Sequence, residues 1–82
     1  MKDHVMIKGS KYGLAVYLDD RVPFEELLEE TESKFRAAAH FFAGAEMAVS
    51  LENRILTKDQ ERQIVEAISG SAGIQILWIL DH

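Results

Sequence analysis

The chain contains no cysteine. That excludes a disulfide framework, a thiolate metal site and a thiol nucleophile, and it is compatible with a reducing cytoplasm. Proline is nearly missing, with one in 82 residues, and no low-complexity tract argues for disorder. Cations are outnumbered. Nine Lys plus Arg face fourteen Asp plus Glu, for a formal net charge of −5. Such a balance argues against nucleic acid as a partner, because that binding draws on cationic contacts to phosphate. It argues equally against direct binding to an anionic membrane surface. Long apolar runs are also lacking. Ile76-Leu77-Trp78-Ile79-Leu80 is far shorter than the roughly 20 residues that span a bilayer. Met1-Lys2-Asp3-His4 lacks the basic-then-apolar layout of a secretory signal. What remains is an expectation of one small, acidic, cytoplasmic domain over residues 1–82, with 48% hydrophobic residues to build a single core.

Six elements are legible. Val5-Met6-Ile7-Lys8 alternates, Gly9 to Gly13 reads as a turn, and Leu14 to Leu18 alternates again, with Leu14, Val16 and Leu18 on one side. Two such runs joined by a glycine-containing turn predict a β-hairpin. Pro23 suits a helix start, and Glu25 and Glu26 complement the positive end of the helix dipole. Leu27, Leu28, Thr31, Phe35, Ala38, Ala39 and Phe42 recur at helical spacing, with Glu30–Lys34 and Glu32–Arg36 as i,i+4 pairs. The helix ends either at Gly44 or before His40-Phe41-Phe42. Glu46 to Leu51 alternates as a third strand. Thr57-Lys58-Asp59-Gln60 is a capping box that opens a second helix, whose stripe is Ile64, Val65 and Ile68 and whose C-terminal glycine is Gly70. Ile74 to Leu80, the most apolar run, predicts an interior strand with both faces largely covered, and Trp78 is expected in the core.

The order β-β-α-β-α-β predicts an α/β, two-layer domain: a mixed four-stranded sheet with two helices, its parallel members joined by right-handed crossovers. Two helices cannot cover both faces of such a sheet. One partly open face is therefore expected, the kind of surface on which partners or copies dock, and a weak homodimer is compatible with it.

Chemistry is mostly not to be found. Lys8-Gly9-Ser10-Lys11-Tyr12-Gly13 is glycine-rich, but it joins two strands and matches neither the P-loop nor the dinucleotide pattern. His4, His40 and His82 share no ligand spacing. Ser69-Gly70-Ser71-Ala72-Gly73 has no serine at the offsets of a nucleophile elbow. The ridge of Glu25, Glu26, Glu29 and Glu30 is explained by dipole compensation and solubility rather than acid–base work. With no nucleophile beside a base, no metal cluster and no cofactor motif, the chain reads as a binding module and not an enzyme. Two features suit that role. Lys8 and Lys11 form a cationic spot at the hairpin tip of an acidic molecule. Phe41 and Phe42, about 100° apart on a helix, cannot both be buried unless the helix has ended or is enclosed.

Taken in order, Ile7-Lys8-Gly9, Gly13-Leu14, Leu18-Asp19-Asp20, Phe24-Glu25-Glu26-Leu27-Leu28, Phe41-Phe42-Ala43-Gly44-Ala45 and Asn53-Arg54-Ile55-Leu56-Thr57 resemble the N-terminal domain of the septum site-determining MinC family. The segments are short, but their order and spacing run over almost the whole chain. The resemblance implies a cell division inhibitor domain that antagonises polymers of the tubulin-like protein FtsZ. It further implies that binding to the ATPase MinD, recruitment to the membrane through it, and the main contact with a second MinC copy belong to a C-terminal β-helical domain that this chain does not contain. The inhibitory surface it implies is Lys8 and Gly9, with Ser10, Lys11 and Phe41 beside them. Glu46 departs from the family, which usually has proline there, so the entry into the third strand is less defined.

Two other readings compete. A regulatory domain like the anti-sigma-factor antagonists shares a small α/β layout, but needs a switch serine at a helix start where this chain has Thr57. A small acylphosphatase-type hydrolase needs an arginine–asparagine constellation, echoed by Asn53-Arg54 without a phosphate cradle.

Overall fold

The computed structural model describes residues 4–10 and 13–80. Its elements follow as β1 (Val5–Ser10), β2 (Gly13–Leu18), α1 (Phe24–Ala37), α2 (Ala39–Phe42), β3 (Glu46–Glu52), α3 (Lys58–Ala72) and β4 (Gln75–Leu80). The four strands lie in the order β1-β2-β3-β4, with β1 antiparallel to β2 and the remaining pairs parallel. This is the mixed four-stranded sheet that the alternation predicts.

Each parallel pair is one step apart, and both steps run the same way across the sheet. Right-handed crossovers then place α1 and α3 on one face, where they pack against each other. Strand alternation selects what meets them. Val5, Leu14, Val16, Leu18 and Val49 close against Leu27 and Phe35 of α1 and Ile64, Ile68 and Ala72 of α3. Fully burying a side chain of this size contributes roughly 1.5–3 kcal/mol, so these contacts hold the two layers together.

The ends of α3 follow the sequence at one terminus only. Thr57 Oγ1 accepts from Gln60 N at 3.1 Å while Gln60 Oε1 accepts from Thr57 N at 3.1 Å, the predicted reciprocal cap. The helix does not stop at Gly70. It runs to Ala72, and Gly73, at φ 69°, takes the left-handed turn that most side chains avoid. Pro23 stands just before the first turn of α1 rather than in it. α1 itself breaks at Ala38, and the unpredicted short helix α2 follows. That break resolves the adjacent aromatics: Phe42 packs against the core with its ring 6.1 Å from Phe35, while Phe41 faces outward.

Other expectations fail as well. Gly9 and Ser10 are strand, not turn, because pairing continues to Ser10 opposite Gly13. β4 is an edge strand rather than an interior one, and Trp78 is exposed rather than in the core. Composition cannot report strand order. The cause at Trp78 is local: the register with β3 shifts between Met47 and Val49, so Leu77 and Trp78 together stand opposite Ala48. An extra residue of this kind puts consecutive side chains on one side.

Candidate functional site

The hairpin end of the sheet is where β2 and β3 begin and β1 finishes. Lys8, Gly9, Ser10 and Phe41 all lie at this end, but the strand divides them. Lys8 is paired with Ala15 on the face without helices, and its Nζ lies 5.3 Å from the centroid of the Tyr17 ring. Gly9, paired with Leu14, belongs to the helix side, yet it is exposed and a Cβ there would meet nothing within 4 Å. The hairpin therefore overhangs the helical layer. Phe41 projects from α2 in that layer, 77% exposed, with the His40 ring 4.2 Å away. Ser10 enters through its backbone pairing with Gly13. Lys11, the remaining member of the expected basic corner, lies outside the described residues.

Gly13 contrasts with Gly9. At φ 147° its hydrogen points at β3, and a Cβ would come within 2.1 Å of the Ala48 carbonyl oxygen. Glycine here is required by the approach of two backbones. At Gly9 nothing among the described residues requires it.

The uncovered face adds residues that the sequence reading did not single out as a site. Met6 and Tyr17 form a cross-strand pair, 48% and 38% exposed, and Leu77 and Trp78 rise from β4 at 49% and 55%. Between them Ala48 and Ser50 are buried although no helix lies over them, so they form a floor flanked by larger side chains. The Ser50 hydroxyl donates to the Glu52 carboxylate. Alternation alone placed Met6 and Tyr17 opposite the core side. Nothing in the sequence announced the bulge that brings Trp78 to join them. Elsewhere exposed apolar residues are scattered, as with Ile55 on the β3–α3 loop.

The other end of the sheet is internally committed. Glu30 of α1 accepts the N–H groups of His4 at 2.6 Å and Val5 at 2.8 Å, which pins the start of β1 and takes Glu30 out of the acidic ridge. His4 Nδ1 lies 3.0 Å from Asp19 Oδ2, while Arg21 donates its backbone N–H to Oδ1 at 2.9 Å. The His4 contact first, and the Arg21 amide next, lower the Asp19 pKa to about 2. Arg54 donates to the carbonyls of Asp19 at 2.9 Å and Val22 at 2.7 Å and lies over the Phe24 ring. Asn53, at φ 74°, donates from Nδ2 to Leu18 O at 3.0 Å. The arginine–asparagine echo is thus a clamp on the β2–α1 loop. Its guanidinium points at carbonyls, not into a phosphate cradle. Thr57, in place of a switch serine, is engaged in capping α3.

Among the described residues no helix is long and apolar enough to cross a membrane. No solved structure matches the chain. Curated relatives do. The Probable septum site-determining protein MinC of Lachnospira eligens is 43% identical over 82 residues, covering 100% of this chain and 33% of its own length. That of Agathobacter rectalis is 40% identical over 81 residues, covering 99% and 33%. The Septum site-determining protein MinC of Bacillus subtilis is 35% identical over 71 residues, covering 83% and 31%. The chain thus spans about a third of the length of these relatives. Residues 5–79, from the first residue of β1 to the next-to-last of β4, match the family model described as "Cell-division inhibitor MinC, N-terminal domain-like", and the chain belongs to that family.

Proposed function

We propose that this chain is the inhibitory domain of a division-site regulator and that it acts without catalysis, by contact with FtsZ polymers. The supporting observation is Gly9. It lies in a regular strand with an ordinary backbone, and open space surrounds the position of a missing Cβ. Glycine in a strand interior costs stability, roughly 0.5–1 kcal/mol. No contact among the described residues recovers that cost, which supports a reason in what approaches from outside. Lys8 beside it offers a cation to an acidic filament surface on a molecule of net charge −5. Phe41, exposed on α2 at the same end, supplies an apolar contact.

Weakening a filament requires only a wedge that competes with or distorts a subunit contact. The remaining two-thirds of the relatives' length then carries binding to MinD and pairing with a second MinC copy, and the cytoplasmic protein reaches the membrane through MinD.

Gly9→Asp tests this directly. It adds bulk and a charge of the wrong sign where the fold has room, so the melting temperature should stay within about 2 °C of wild type. Sedimentation of FtsZ polymers should show inhibition by the wild-type chain and its loss in the variant. Full inhibition by a folded Gly9→Asp chain removes the hairpin corner from the mechanism.

A further inference from the structure

Among the described residues no aromatic side chain is more exposed than Phe41, yet the backbone beneath it is firmly held. Four residues of helix have no stability of their own. α2 takes it from its surroundings. Phe41 donates its N–H to the Ala38 carbonyl at 2.9 Å, which joins α2 to the end of α1. On the far side Gly44 donates to the Gly73 carbonyl at 3.1 Å, and Gln75 donates to that of Ala45 at 2.7 Å. Both Gly44 and Gly73 are left-handed, at φ 79° and 69°. Phe42 anchors the turn from below through Phe35.

A fixed backbone does not fix a phenyl ring. An exposed ring still samples its own rotamers and gives up that freedom when a partner covers it. Here the neighbouring imidazole limits it. Side chains at consecutive helix positions diverge by about 100°, so a separation of 4.2 Å between the ring centroids, with 36° between the planes, requires both rings to lean together. His40 is itself exposed, and nothing in the core calls for this arrangement. Ordering a contact side chain before it is used removes that cost from association.

We infer that His40 is a positioning residue: its ring holds the Phe41 phenyl oriented on α2, so that the FtsZ subunit meets a contact already set. This rests on the reading of FtsZ as the partner and of Phe41 as one of its contacts.

Sedimentation of FtsZ polymers against increasing amounts of chain reads the effect. Phe41→Ala should need about tenfold more chain for half-inhibition, and His40→Ala about two- to fivefold more. His40→Tyr, which keeps a ring, should recover wild-type potency, whereas His40→Gln should not. The double variant His40→Ala/Phe41→Ala should be no weaker than Phe41→Ala, because without the phenyl nothing is left to position. Both side chains are exposed, so every variant should melt within about 2 °C of wild type. In the free chain Phe41→Ala should shift the imidazole C–H proton resonances of His40, as the ring current of Phe41 is lost.

A wild-type chain that does not inhibit overturns the functional reading and this inference with it. If wild type inhibits and Gly9→Asp does not, while Phe41→Ala or His40→Ala is fully active, the functional reading stands and the positioning role is wrong. Additive losses in the double variant would make His40 a contact in its own right. His40 resonances unmoved by Phe41→Ala would mean that the rings do not meet. Either result overturns the inference.

Discussion

The two faces of this sheet are built from alternate residues of the same strands, yet they are put to opposite uses. On the covered face Val5, Val16, Leu18 and Val49 are fully removed from water by α1 and α3. On the uncovered face their neighbours Met6 and Tyr17, with Leu77 and Trp78, remain half in water. The difference is not one of hydrophobicity, since both faces carry large apolar side chains. It follows from topology. Two crossovers of one hand, stepping the same way, spend both long helices on one side. None of the described helices is left to shield the other face. Apolar residues kept where they gain little for folding are best explained by a partner.

The two faces would not differ in use if the uncovered side chains turned out to carry the fold. Phe35, fully buried between the layers, should be the most costly to truncate. Phe35→Ala should lower the unfolding free energy by about 3–5 kcal/mol in urea titrations, a large share of the total for a domain of this size. Trp78→Ala, although it removes more atoms, should cost about 1 kcal/mol or less, because half of that side chain is already hydrated. Equal losses at the two positions would mean that the uncovered face is structural after all. Gly13, on the uncovered face, is a position where the fold itself is sensitive. A methyl group there meets the Ala48 carbonyl and asks for a positive φ, and this should destabilise by about 3 kcal/mol through strain alone. The same measurement on Gly9→Ala should show almost no loss.

Strand and helix order, the buried stripe of α1 and the capping box of α3 were all legible, because each is written in local spacing. Leu14, Val16 and Leu18 alternate, and Thr57 and Gln60 stand three apart. What escaped depends on pairing between distant segments. The apolar run of β4 suited a buried central strand equally well, and only its neighbours in space decide that it lies at an edge. The bulge opposite Ala48 belongs to β3 and β4 jointly, so Trp78 was placed in the core. Gly70 and Gly73 are equally suited in sequence to end α3, and only Gly73 turns left-handed. At the candidate site, charge singles out Lys8 with Lys11, and the family resemblance adds Gly9. The division of Lys8 and Gly9 between two faces follows from strand geometry that a supposed turn conceals.

The smallest expected effect concerns the far end of the uncovered face, where Asp19 links β1 to the β2–α1 loop. The contacts from His4 and the Arg21 amide favour its carboxylate and hold the folded pKa near 2, against about 3.9 for an unfolded aspartate. A depressed folded pKa means that protons bind the unfolded chain more readily. The stability from these contacts is therefore complete above about pH 4 and is lost as the pH falls from there towards 2. Because its partners His4 and Arg21 are themselves partly or largely in water, the magnitude is modest and is further reduced by salt. Asp19→Asn retains the shape and removes the titration. The difference in urea midpoint between wild type and Asp19→Asn should stay constant from pH 7 to about pH 4.5 and then narrow as acid is added. The covered face contributes nothing to this difference, because its buried residues carry no ionisable group. A gap that stays the same down to pH 2.5 would show that the His4–Asp19 contact is a matter of packing and not of charge.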